Sequence, residues 1–103
     1  MLRLNPVSDK DLVERIKSND RSVLGDLFMK FEKVVFKHIQ THGGSLDDAK
    51  DMLQESIIVL WQNVSAGRFE LKSKLSTYLV AVAKNKWMVE MRKKKRSAFF
   101  KIE

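Results

Sequence analysis

The chain has 103 residues, a net charge of +7 and a pI near 9.8, which suits one domain with a modest core and favours a polyanionic partner, nucleic acid before membrane. It has no cysteine, which excludes disulfides and thiolate metal sites and leaves His38 and His42 as the only nitrogen ligands. Its apolar stretches, Ile57 to Trp61 among them, are far too short for a bilayer, and Met1 to Asp11 carries charges where a signal peptide is apolar; a soluble, cytoplasmic protein without membrane insertion is expected.

No segment alternates long enough to be a strand, and four helical segments with start and stop signals predict an all-α fold, a compact bundle of four helices. The first begins near Ser8, a capping residue with Asp11 at the positive helix end, buries Leu12 and Ile16, and stops near Ser18 and Asn19. Asp20 is expected to cap the second, where Leu24, Leu27, Phe28, Phe31, Val35 and Ile39 form one apolar stripe that ends at Gly43 and Gly44. Ser45 and Asp48 cap the third, whose inward face is Ala49, Met52, Leu53, Ile57, Leu60 and Val64 and which runs out at Gly67. Arg68 to Ser73 read as a loop. The fourth starts between Ser73 and Ser76 and runs through Leu79, Val82, Ala83 and Trp87 to the basic run Arg92 to Arg96, whose repelling charges favour fraying. The domain is expected to end near residue 96, with 97–103, including Phe99, Phe100 and Ile102, as the start of a linker or a disordered tail.

Charge is divided along the chain. Residues 1–44 hold eight basic and six acidic side chains, 45–64 one and four, and 65–103 eleven and three. The acidic segment repels a polyanion and the segment after it attracts one. On the third helix Asp48, Asp51, Gln54, Glu55 and Ile58 fall opposite the inward stripe. An acidic face is commonly just solvated, but an isoleucine at its centre with Trp61 on the flank suits a protein interface, in which apolar anchors sit inside a polar rim. The carboxylates lack the inward-facing set with histidine that a di-iron site uses, and no metal or cofactor is expected.

Residues Asp48 to Trp61, DAKDMLQESIIVLW, resemble the core-binding helix of extracytoplasmic-function (ECF) sigma factors of the sigma-70 family, with the pattern D-A-E-D-L-V-Q-E-x-F-L-x-x-W. Phe69 followed by Leu75 to Asn85, LSTYLVAVAKN, is similar to a second motif of that family, F-x5-F-x-T-W-L-x-x-I-A-x-N. Here Leu75 stands for an aromatic, Tyr78 for tryptophan and Val82 for isoleucine. With the opening Asp11 to Ile16, the resemblance covers about residues 8 to 96, the extent of a sigma factor region 2 domain.

The resemblance implies that the third helix docks on the clamp helices of the beta-prime subunit of RNA polymerase core through Asp51, Gln54, Glu55 and Trp61, to which Asp48 and Ile58 are added from the face itself. It also implies that the loop and fourth helix melt the promoter minus-ten element and hold a flipped non-template base, with Asn85 as the main base reader. A single-strand reader needs cations for the backbone, walls for a base and hydrogen-bonding groups for its edge. Arg68, Lys72, Lys74, Lys84, Lys86 and Arg92 suit the first; Phe69, Tyr78 and Val82 the second; Asn85, Ser65 and Thr77 the third. Without the family pattern Phe69 and Val82 read first as core residues closing the bundle, Asn85 can be read as a solvated helix residue, and the basic run as a solvated tail or linker.

An enzyme is not expected, since the chain has no nucleophile with a base at motif spacing and no glycine-rich phosphate loop, and His38 and His42 lack the glutamate of a zinc protease. The rival reading is a small helical adaptor with an incidental basic tail. The resemblance admits an anti-sigma protein as a further partner. It also implies a helix-turn-helix domain for the minus-thirty-five element, and with none after Arg96 the chain is expected to be a truncated piece of a longer factor.

Overall fold

A computed structural model describes residues 7–101, with side chains described through Ser97, as four helices: α1 (Asp9–Lys17), α2 (Val23–Thr41), α3 (Leu46–Ser65) and α4 (Leu75–Lys101). Among the described residues no strand occurs, so the all-α expectation holds.

Each of the first three helices ends in the same way. Asn19 (φ 61°), Gly43 (φ 89°) and Gly67 (φ 73°) adopt the left-handed conformation just past the helix cap. The next amide turns back onto the carbonyl five residues earlier, Asp20 to Arg15, Gly44 to Ile39 and Arg68 to Asn63, each at 2.9 Å. This double closure satisfies carbonyls that a helix end leaves orphaned, and glycine or asparagine tolerates the backbone it requires. Gly44 is further constrained by space, because a Cβ there would meet the side chains of Ile39 and Trp87.

Helix starts are less uniform. The Ser8 hydroxyl accepts from the Asp11 amide at 3.1 Å, as expected for α1. Asp20 does not cap α2 directly: its carboxylate accepts from the Ser22 amide (3.1 Å) and hydroxyl (2.6 Å), closing a turn that precedes Val23. Arg15 then ties that turn to both neighbouring helices, meeting Asp20 at 2.9 Å, Asp26 at 2.8 Å and the Ser22 hydroxyl at 2.9 Å. The Ser22 hydroxyl first, and Arg15 second, hold the Asp20 carboxyl below its ordinary range. The start of α4 is capped across the fold, the Leu75 amide donating to Asp9 of α1 at 2.9 Å.

The core is a set of rows at three- and four-residue spacing. Val23, Leu27, Phe31, Val35 and Ile39 of α2 face Leu53, Ile57, Leu60 and Val64 of α3, and Leu75, Leu79, Ala83 and Trp87 of α4 close the bundle. Trp87 is buried, and its indole N–H donates to the His42 carbonyl at 3.0 Å, pinning the turn after α2. Beyond Met91, which is half-buried against the core, residues Arg92 to Ser97 are exposed, and the helix runs on through the basic run to Lys101. The helix thus continues past residue 96, where the domain is expected to end. A docked helix propagates at one hydrogen bond per residue, and Lys, Arg and Ala favour its continuation over the cost of like-charge crowding. The side chains of Phe99, Phe100 and Ile102 lie outside the described residues.

Candidate partner interfaces on the third and fourth helices

The N-terminus of α3 is a reciprocal capping box. The Ser45 hydroxyl accepts from the Asp48 amide at 3.1 Å, and the Asp48 carboxylate accepts from the Ser45 amide at 2.8 Å. That backbone amide is the chief reason the Asp48 carboxyl sits below its ordinary range. Asp48 is therefore half-buried and occupied by the helix end, rather than held out with the rest of the acidic face. Asp51, Gln54, Glu55 and Ile58 are exposed, and Ile58 leaves 49% of its surface in water. Trp61 is half-buried and packs against the core from the flank.

Ile58 does not stand alone. With Gln54 and Ile57 it lines a groove whose other wall is Leu24, Gly25 and Phe28 of α2. Leu24 and Phe28 are half-buried, at the edge of the α2 stripe that sequence periodicity assigns wholly inward. The signal was present: at about 100° per residue both lie to one side of the buried row from Val23 to Ile39.

At the opposite end of α3, the Phe69 ring meets the Tyr78 ring edge-on, with centroids 5.0 Å apart and planes at 82°. Both are half-buried and pack on the core, so each is at once a structural residue and a surface aromatic. Asn63, in the last turn of α3, was not singled out from sequence. Its amide nitrogen lies 3.1 Å from the Tyr78 hydroxyl, and its amide oxygen 3.3 Å from Arg68. The turn closing α3 explains the second contact, since the Arg68 amide already bonds the Asn63 carbonyl.

The other expected DNA contacts do not gather in one pocket. Asn85 is exposed, but it follows Tyr78 by seven residues, about 10 Å of helix axis. Ser65, exposed at the end of α3, is farther still, because Lys86 is level with Glu55, ten residues before Ser65. Lys84, Asn85 and Lys86 also point in three directions, as successive residues about 100° apart must. Lys84 lines a groove with Val34 and His38 of α2 and Ser76, Thr77 and Val80 of its own helix. Lys86 instead turns toward α3, 3.5 Å from Glu55. Val82 is half-buried, Arg68, Lys74, Thr77 and Arg92 are exposed, and Lys72 pairs with Glu70 at 3.4 Å in full solvent.

Two chemically distinct surfaces result, one acidic with an apolar groove and one basic with paired rings. They adjoin at Glu55 and Lys86, whose contact is exposed enough to contribute less than about 1 kcal/mol. Among the described residues no helix is long and apolar enough to cross a membrane.

Residues 27–97 match the family model for sigma-70 region 2. Over 94 residues the chain is 24% identical to the ECF RNA polymerase sigma factor SigW of Bacillus subtilis (strain 168). That alignment takes in 91% of this chain and 49% of the relative, so the chain spans about half the length of the curated relative it matches. No solved structure matches it.

Proposed function

The chain belongs to the sigma-70 region 2 family, with its likeness in the ECF branch, and from that membership we propose that it is the domain of a sigma factor that binds RNA polymerase core and recognises and melts the promoter minus-ten element. The observation that carries the reading is the pairing of two surfaces on one rigid bundle. Ile58 lies exposed in a groove lined by Gln54, Leu24 and Phe28, with Asp51 and Glu55 exposed on the same helix, and the Phe69–Tyr78 pair sits beside Arg68.

For the first surface, an apolar anchor inside a rim of carboxylates and an amide suits a partner helix that offers arginine and a small apolar ridge. The clamp helices of the beta-prime subunit are the proposed partner, with Asp51, Gln54, Glu55, Ile58 and the flanking Trp61 in contact and Leu24 and Phe28 completing the groove. Asp48 contributes by fixing the start of the helix.

For the second surface, aromatic faces and dispersed cations suit a strand that is leaving the duplex. Stacking captures an unpaired base whatever its identity, and cations hold the backbone. Phe69 and Tyr78 are assigned the base, Arg68, Lys74 and Arg92 the phosphates, and Asn85, farther along the helix, the edge of a different nucleotide. The factor acts by binding. It selects where polymerase opens DNA and leaves catalysis to the core.

The test is a pull-down of polymerase core, or of its isolated clamp helices, by this chain. Capture is expected, and replacing Gln54 and Glu55 together by alanine should weaken it by about 2 kcal/mol if they are central to the interface. Unchanged capture by the folded double variant would remove the assignment. Capture by an adaptor's partner, with no affinity for core, would favour the helical-adaptor reading.

A further inference from the structure

Asn63 sits between a donor and a hydroxyl, and the donor fixes which way its amide faces. Arginine has N–H groups and no acceptor, so the atom of Asn63 that lies 3.3 Å from Arg68 must be the amide oxygen. The amide nitrogen is then directed at Tyr78, 3.1 Å away, and the Tyr78 oxygen must accept. An accepting phenol keeps its own proton for another partner. Since Phe69 meets Tyr78 ring edge to ring face, and a carbon ring offers no oxygen or nitrogen acceptor, that proton is not consumed inside the pair.

We propose that Asn63 is a positioning residue that sets Tyr78 as a hydrogen-bond donor, so that the basic, aromatic surface selects a nucleotide presenting an acceptor atom at this point. The inference rests on the proposed assignment of that surface to the melted strand. Its chemistry is directional. A ring nitrogen, a base carbonyl or a phosphate oxygen satisfies the hydroxyl, whereas an exocyclic amine brings a second donor against it. Stacking on Phe69 and Tyr78 is indifferent to the base; the hydroxyl is not. Arg68 serves twice, orienting Asn63 with one N–H and keeping the others for the strand.

Aspartate at position 63 reverses the polarity at nearly constant shape. Its two oxygens accept from Arg68 and from the Tyr78 hydroxyl, which turns the phenol oxygen's lone pairs outward. Tyr78 is the chain's single tyrosine, so the tyrosine Fermi doublet in the Raman spectrum reports its hydrogen-bonding state without assignment. Asn63→Asp should shift the doublet of the free chain from an accepting toward a donating phenol.

The ligand is tested with the chain bound to polymerase core and single-stranded minus-ten probes, each lacking one base acceptor or carrying one neutral methylphosphonate. For the natural chain one such deletion should cost about three- to tenfold in affinity, the value of one neutral hydrogen bond. A sensitive base position identifies a base edge, and a sensitive methylphosphonate identifies a phosphate. Tyr78→Phe should abolish that sensitivity, and Asn63→Asp should abolish it and improve binding where the same position offers an amine. A purely structural Asn63 would give a uniform loss across all probes. The proposal is overturned if Asn63→Asp leaves the doublet unchanged, or if either variant keeps the natural chain's preference. If Phe69→Ala binds every probe as the natural chain does, it is the assignment of this surface to DNA that fails, and the Raman result stands apart from it.

Discussion

Ile57 and Ile58 are neighbours in sequence and line the same groove, yet their truncation should separate folding from binding. Ile57 is 4% exposed and faces the core; Ile58 is 49% exposed and faces the groove. Ile57→Ala removes buried methyl groups and leaves a cavity, at a cost of about 2 to 4 kcal/mol of stability. Full burial of an isoleucine side chain is worth about 1.5 to 3 kcal/mol, and Ile58 realises only half of it in the free chain. Ile58→Ala should therefore cost about 1 kcal/mol in stability, with the remaining half, again about 1 kcal/mol, appearing as roughly fivefold weaker binding to core. Urea unfolding followed by the fluorescence of Trp61 and Trp87 measures the first quantity, and competition for clamp helices the second. The reasoning is refuted if Ile58→Ala binds core as tightly as the natural chain, or if its stability loss equals that of Ile57→Ala.

Asn85→Ala should flatten discrimination at one position of the minus-ten element at a cost of about 1 to 3 kcal/mol, whereas Lys84→Ala should weaken all sequences alike; probes varied one base at a time decide between an edge contact and a phosphate contact. Replacing Arg92 to Arg96 by glutamine should make binding to bubble DNA weaker and less steeply salt-dependent while leaving core affinity intact, and equal losses for both partners would argue against separate surfaces. Asp48→Ala, which opens the capping box, should lower stability by about 1 kcal/mol without changing the inward face of α3, as urea titration would show. Because the folded Asp48 and Asp20 carboxyls lie below their ordinary range, their stabilisation is fully present above about pH 5 and is lost as pH falls through the folded values; acid titrations of Asp48→Asn and Asp20→Asn should each be flatter than that of the natural chain below about pH 4.

What the sequence determined by itself is local in origin. Caps at Ser8 and Ser45, left-handed stops at Asn19, Gly43 and Gly67, and apolar rows at three- and four-residue spacing are set by residues within one or two turns of each other, so the four helices and the exposure of Ile58 were legible without coordinates. The same locality made Leu24 and Phe28 read as part of one continuous apolar stripe, because a pattern does not record how far a stripe overhangs its partner. Tertiary structure alone decided the contacts between helices: Asp9 capping α4 from 66 residues away, Asn63 meeting Tyr78, and Lys86 reaching Glu55. It also separated Ser65 from Asn85, which the sequence reading groups together as hydrogen-bonding groups for a base edge. The physical reason is that periodicity fixes the direction in which a side chain leaves its own helix, whereas its height against a neighbouring helix is fixed by how the ridges of the two pack, at about 1.5 Å per residue.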